Sequence, residues 1–394
     1  MVHELPSETG INISLNPNFN KMESKTSRLL YIDNLRALMI IFVVLVHSAV
    51  TYSGLGGWYY IENKTLDTAS KLFFFFFQSF TQAYFMSMLF MLAGYFVPAA
   101  YDKKGFGKFL ADRFFRLGLP LLVFIIFIHP LTVKLVLPDL DFPAYFLKGV
   151  TSFDFFSRSG PLWFAFALLI FTVIYAIYRL IVPPINPNTN FNFKTTYIIG
   201  IVVIISILAF IIRLMYPIGT SVVNLQFCFF AAYIVMFSIG ILAYRNGIFQ
   251  NLNYSIGKRW LIIAFAIGIP LWLAIGALGG TLQGSNKIFG GFNWEALAYA
   301  FWESFFCVTI IVALIGIFKE RFNTQNRFQK FLSDQAFGVF VFHTPILVGT
   351  SMLMKGIVLS PFMKFMTVGA IALVISFLFA YLVRRISFLR KVFS

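Results

Sequence analysis

The sequence predicts an all-α, polytopic integral membrane protein of about ten transmembrane helices with cytoplasmic N- and C-termini. Three observations carry that prediction. Of the 394 residues, 59% are hydrophobic and only 12% charged, about half the charged fraction usual in soluble domains. Mean hydropathy is +0.83, and apolar runs recur at the ~20-residue length that one bilayer crossing requires. The charges are also sorted by side. Taking the termini and even-numbered loops as cytoplasmic gathers most of the 31 Lys and Arg on one face, whereas the acids split almost evenly. That asymmetry is the positive-inside pattern, and it explains the net charge of +16 without any nucleic-acid partner.

In chain order, residues 1–27 are polar and lack the short apolar core of a secretory signal. They read as a flexible cytoplasmic tail ahead of a single membrane domain, 28–394. Ten spans follow by length and hydropathy: 35–52, 72–97, 117–137, 162–182, 197–216, 222–244, 260–280, 295–318, 336–354 and 362–383. The longest connections, near 53–71, 138–160 and 281–294, all face outward in this scheme, where they line an acceptor site. Cys228 and Cys307 fall inside apolar runs, so no disulfide framework is expected.

Polar groups inside a bilayer are costly and therefore informative. In the first span Arg36 and His47 are eleven positions apart, three helical turns plus ~20°, so they share one stripe, with Asp33 within ~40° of His47. A separation of ~16 Å along the axis rules out direct contact. The ordinary reading of Asp33 and Arg36 is a helix cap and a snorkelling anchor. His47, deep in the outer half of the span, is expected to be a proton acceptor or, as a nucleophile, a transient acyl carrier, with a helix-packing histidine bonded to another span as the competing reading. Arg113 and Arg116, at i and i+3, share a helix face suited to phosphate, although a topology anchor explains them equally well.

Glu303 lies at nearly the depth inferred for His47 and is the expected partner orienting its imidazole, with hydration of a polar cavity as the competing reading. His343 reads as a substrate contact or a bridge between helices, with the bridge favoured. His129, before Pro130, reads as a helix-kink residue. Arg213 reads as an interfacial anchor. Trp58, Tyr59, Tyr60 and Trp294 fit an interfacial aromatic belt better than a sugar-stacking platform. Hydrolase elbows, zinc-protease, phosphate-loop and dinucleotide motifs are absent, and no ligand cluster supports a metal.

Tyr31-Ile32-Asp33-Asn34-Leu35-Arg36 with Arg-x10-His, the Arg113-x-x-Arg116 loop, Gly160-Pro161-Leu162-Trp163-Phe164 and Ala336 to Pro345 together resemble the acyltransferase family 3 membrane proteins, nearest the glucan biosynthesis protein C-like branch. The resemblance runs from about Arg28 onward and implies a roughly ten-helix enzyme. It implies transfer of an acyl group, acetyl or succinyl, from cytoplasmic acyl-CoA as co-substrate to a hydroxyl of an extracytoplasmic carbohydrate or glycolipid. No permanently bound cofactor is implied. Arg36 and His47 occupy its Arg-x10-His motif, Arg113 and Arg116 its paired arginines for the phosphate-bearing donor, and Trp163 and His343 fall in its other motifs. Ala93 stands where members commonly carry Ser, so any role of that hydroxyl is missing, and the lack of an attached esterase-like domain implies a stand-alone transferase of the plasma membrane. The competing class is a transporter or flippase for a lipid-linked or small anionic substrate. It is kept open by interruptions at Pro120, Pro130 and Pro270 and weakened by the lack of an internal repeat. A third reading, a non-catalytic component of a glycan assembly complex, requires His47 to be replaceable.

Overall fold

The computed structural model describes residues 29–62, 65–152, 154–183 and 193–393. The tail read at 1–27 lies outside them. The described residues are helical, with one isolated bridge between Val222 and Leu225 in place of any sheet. Nine of their helices are long and apolar enough to cross a membrane. These are α1 (Leu30–Ser53), α2 (Thr68–Val136), α4 (Phe156–Ile181), α5 (Thr195–Met215), α6 (Phe227–Asn246), α7 (Tyr254–Leu278), α8 (Trp294–Arg321), α9 (Arg327–Leu353) and α10 (Pro361–Arg385). Two shorter helices, α3 (Phe142–Thr151) and α11 (Ser387–Phe393), complete the chain.

The difference between ten expected spans and nine helices lies in α2. Its 69 residues rise ~100 Å, about three times the ~30 Å hydrocarbon core. It holds both the second and the third expected spans, and its backbone breaks at Gly105, with φ 70° and ψ 172°. Arms 68–104 and 106–136 are therefore two crossings joined at a bend rather than through a loop. The second arm is widened twice, by π turns at Phe114–Gly118 and Phe124–Ile128. Pro120 and Pro130 follow these turns. Each lacks the N–H that would close a bond to the carbonyl four residues back, and a wider turn absorbs the missing bond.

α1 occupies the centre. Two-thirds of its apolar window is buried, and it packs against α2, α8, α9 and α10. α2 and α6 approach closely enough that a Cβ on Gly94 would stand 2.2 Å from the Phe237 carbonyl oxygen and one on Gly240 2.1 Å from that of Met91. Only glycine permits this crossing, the small-residue contact typical of membrane helices. α9 starts at a capping box in which Asn326 and Gln329 each bond the other's backbone N–H, at 2.8 and 2.9 Å.

The bundle has two distinct ends. At the first, Asn34 donates to the Phe322 and Thr324 carbonyls at 2.7 and 3.1 Å, and Arg179 and Arg245 converge on Asp102 at 3.1 and 2.7 Å. Arg384 there donates to the Asp334 carbonyl. This basic end holds the start of α1 and the Gly105 bend. The opposite, loop end holds the end of α1 and the connections around 54–62, 137–160 and 217–226.

Candidate active site

At the loop end a cavity of about 460 Å³ opens between α1, the second arm of α2 and the start of α4. His47, Trp58, Tyr59, His129, Trp163 and Asn224 are the lining groups that bear chemistry. Among the described residues, none that lines it is acidic, lysine or arginine. Of the three long connections, two line this cavity, through Gly57 to Tyr59 and Ser157 to Pro161, and the third, near 281–294, does not. Its place is taken by the turn at Asn224 and Gln226, residues expected inside a span but lying just before α6 begins at Phe227.

His47 projects from α1 and is gripped from two directions. The Trp58 indole stacks on its ring, with centroids 4.0 Å apart and planes 18° off parallel. Behind it, His343 of α9 brings Nε2 to 3.2 Å from His47 Nδ1. The hydrogen positions follow from the neighbours. His343 Nδ1 lies 2.9 Å from the Phe340 carbonyl oxygen and 3.2 Å from that of Val339. Carbonyl oxygens only accept, so Nδ1 of His343 carries the proton and its Nε2 carries a lone pair. His47 Nδ1 must then be the donor in the bond between the rings. Neutral His47 is left with its lone pair on Nε2, the tautomer of a positioned base, and His343 fixes it. A proton taken up at Nε2 leaves the Nδ1–H bond intact, so both charge states keep the same geometry.

Tyr59, next to Trp58, turns its hydroxyl to His129 Nδ1 at 2.6 Å. His129 Nε2 meets the Tyr145 hydroxyl of α3 at 2.9 Å. Burial, reinforced by Tyr145, holds the Tyr59 phenol well above its usual value, and burial likewise raises Tyr145 against the opposing pull of Arg158. Both remain neutral hydroxyls near pH 7. Gly160 completes this wall with φ 48° and ψ −137°. Its carbonyl accepts from Asn224 Nδ2 at 2.8 Å, and the same amide reaches Ser159 Oγ at 2.9 Å.

Glu303 is not the partner of His47. It is buried and ion-paired to Arg213, whose Nε donates to the Cys228 carbonyl at 3.2 Å. The depth inferred along α8 put Glu303 level with His47, but its carboxylate faces α5, and the position beside the imidazole belongs to His343. Arg213, read as an interfacial anchor, is fully buried instead. His343 acts as the bridge between helices that the sequence favoured. His129 and Trp58, expected as kink and belt residues, both line the cavity. Trp163 lines it too and stacks at 5.6 Å on Tyr233.

The arginines lie at the other end. Arg36 pairs with Asp33 at 2.6 Å at the start of α1, and Arg113 and Arg116 follow the Gly105 bend. Arg116 binds Asp112 at 3.2 Å, a carboxylate that Lys104 also meets at 2.8 Å. The Arg113 guanidinium sits 5.1 Å above the Phe109 ring. Arg36, Arg113 and Arg116 thus share the basic end, while His47, His343 and Trp163 gather at the loop end.

The whole arrangement spans the match to a family model: an acyltransferase domain fits residues 29–384. The chain belongs to acyltransferase family 3. It is therefore an O-acyltransferase of the multi-pass membrane class. No curated protein and no solved structure matches it.

Proposed function

We propose that this acyltransferase takes a small acyl group, acetyl or succinyl, from acyl-CoA at the basic end and passes it to a hydroxyl of a carbohydrate or glycolipid in the loop-end cavity. The charge asymmetry of the loops supports a cytoplasmic basic end and an extracytoplasmic cavity, and the membrane in this reading is the plasma membrane. Arg113 and Arg116 bind the donor's phosphates, and Arg36 guides the acyl arm along α1. The observation that carries this reading is the bond from His47 Nδ1 to His343 Nε2, which leaves a base aimed into an uncharged, aromatic-walled cavity suited to a neutral polyol.

In the transfer His47 Nε2 takes the acceptor's hydroxyl proton as its oxygen attacks the thioester carbonyl. The C–O bond forms, the C–S bond breaks with its electron pair on sulfur, and the His47 imidazolium gives the proton it took to sulfur, which leaves as the free thiol while His47 returns to its neutral state. The test is ester-linked acyl groups on surface glycans and glycolipids, measured by mass spectrometry in cells lacking the gene and complemented with wild type or His47→Ala. An acyl mass that returns only with wild type supports the transferase. Unchanged acylation with a whole glycan or lipid missing from the surface makes the cavity a transport path and ends this reading.

A further inference from the structure

The turn ahead of α6 is the most strained piece of backbone at the cavity. Val223 and Asn224 have φ 53° and 61°, and among the described residues they are the non-glycine positions with positive φ. Val222 and Leu225 exchange both backbone bonds, at 3.0 and 2.9 Å, so the four residues close a two-residue hairpin with both central positions in the left-handed region. Turns of that kind favour Asn, Asp and Gly, and a β-branched valine there is a genuine outlier. Such strain persists only where the surroundings hold it, and it collects at sites that clamp ligands.

Asn224 supplies the hold. Its Nδ2 donates to the Gly160 carbonyl at 2.8 Å and to Ser159 Oγ at 2.9 Å, which ties the turn to a second strained residue, Gly160, at φ 48°. A carbonyl oxygen only accepts, so the amide nitrogen is the atom facing Gly160, and the two bonds use both of its hydrogens. Oδ1 takes no bond from the described residues, and Asn224 lines the same cavity as His47. Toward a ligand there Asn224 is an acceptor only. Gln226, two positions on, is exposed and lines the cavity as well, and its side-chain amide bonds none of the described residues. It offers a donor and an acceptor together. Tyr59 and His129, by contrast, are already bonded to each other.

We propose that Asn224 and Gln226 are the residues that recognise the acceptor, by binding hydroxyls other than the one that is acylated. One such hydroxyl donates to Asn224 Oδ1, and a neighbouring one both donates to and accepts from the Gln226 amide. This rests on the transferase reading and narrows it: the acceptor is a neutral polyol that keeps free hydroxyls beside the acylated one. Two amides on an uncharged wall suit hydroxyls, because they pair with neutral donors and acceptors and strand no charge. The bonds form alike with the bound acceptor and with the transition state, so they lower acceptor KM and leave kcat as it is.

The test is transfer from radiolabelled acetyl-CoA or succinyl-CoA by the full chain in lipid nanodiscs, which leave both faces open. The acceptors are glycans and detergent-dispersed glycolipids extracted from cells lacking the gene, and the rate is followed against extract concentration. Gln226→Leu, which breaks no side-chain bond among the described residues, is expected to raise acceptor KM roughly 10-fold, the weight of about one hydrogen bond, at unchanged kcat and unfolding temperature. Asn224→Gly keeps a residue at ease in the left-handed region while removing the amide, and is expected to raise acceptor KM by at least as much. Wild-type acceptor KM in either variant, or a loss confined to kcat, overturns the assignment. Wild-type protein that transfers neither acyl group, or transfer that survives His47→Ala, instead overturns the transferase reading and takes the assignment with it.

Discussion

His343 Nε2 stands 3.2 Å from His47 Nδ1, and because His343 Nδ1 is committed to backbone carbonyls, this one contact decides which nitrogen of neutral His47 keeps its lone pair. His343→Ala is expected to free the His47 tautomer and lower the acylation rate by roughly 10–100-fold, the usual cost of losing an orienting partner, with little change in acceptor KM. His343→Gln presents an amide oxygen able to accept the same bond and is expected to recover part of the rate. The measurement is ester formation by reconstituted protein against acceptor concentration. Equal loss in both variants would mean that volume, not the accepted proton bond, is what His343 supplies.

Gly160 sets the far wall. At φ 48° and ψ −137° it occupies backbone space essentially reserved for glycine. A Cβ there would lie 2.6 Å from the Phe124 ring and 2.7 Å from the Tyr59 hydroxyl. Gly160→Ala is expected to cost about 1–3 kcal/mol from the backbone alone and to push Tyr59 off His129. Thermal unfolding in detergent reads the first effect and the His129 ring-nitrogen signals the second. A variant that keeps both unchanged would place the strain elsewhere in the segment.

How much of this was legible follows from the kind of information each feature needs. The helices were readable because bilayer length and hydropathy are local properties, and the merged crossings of α2 escaped only because one glycine, not a loop, makes the bend. His47 was readable from its cost in an apolar span. Its partner was not, since His343 is 296 positions away and depth along a helix says nothing about which neighbour a side chain faces. The same missing angle made Glu303 look like the partner, when Arg213 of α5 holds it. His129 looked like a kink residue because no local pattern reveals that a π turn carries the imidazole to the cavity. Trp58 carried no distinguishing signal, as an indole at an interface and one stacked on a histidine have the same sequence surroundings.

The segment that carries Trp58 is fastened by an ion pair between Glu62 and Lys364 of α10, with side chains only 14% and 4% exposed. Glu62 N–H also bonds the Thr51 carbonyl at 2.9 Å, so the loop closes back on the end of α1. Glu62→Gln leaves Lys364 as a buried, uncompensated cation and is expected to destabilise by about 3–5 kcal/mol. Adding Lys364→Met removes the stranded charge and is expected to restore most of the stability but not the fastening. Tryptophan fluorescence quenching by acrylamide reads the loop. Greater access to Trp58 in the double variant than in wild type is the expected result, and equal access would show that packing alone holds the stack on His47.

The Arg213 and Glu303 pair separates structure from chemistry within the bundle. Arg213 is fully buried, and among the described residues its desolvation is offset by Glu303, the Cys228 carbonyl and the Phe229 and Tyr299 rings at 5.6 and 5.9 Å. Removing one partner strands the other charge, whereas removing both with apolar residues of similar size is often neutral. Glu303→Gln is therefore expected to lower stability by about 3–5 kcal/mol, and the Arg213→Met, Glu303→Met double variant to regain stability and acylation together. Guanidinium unfolding of detergent-solubilised protein and surface ester content are the two readouts. If Glu303→Gln abolished acylation while leaving stability untouched, the carboxylate would belong to the transfer step after all, because a purely structural ion pair cannot lose activity without losing stability first.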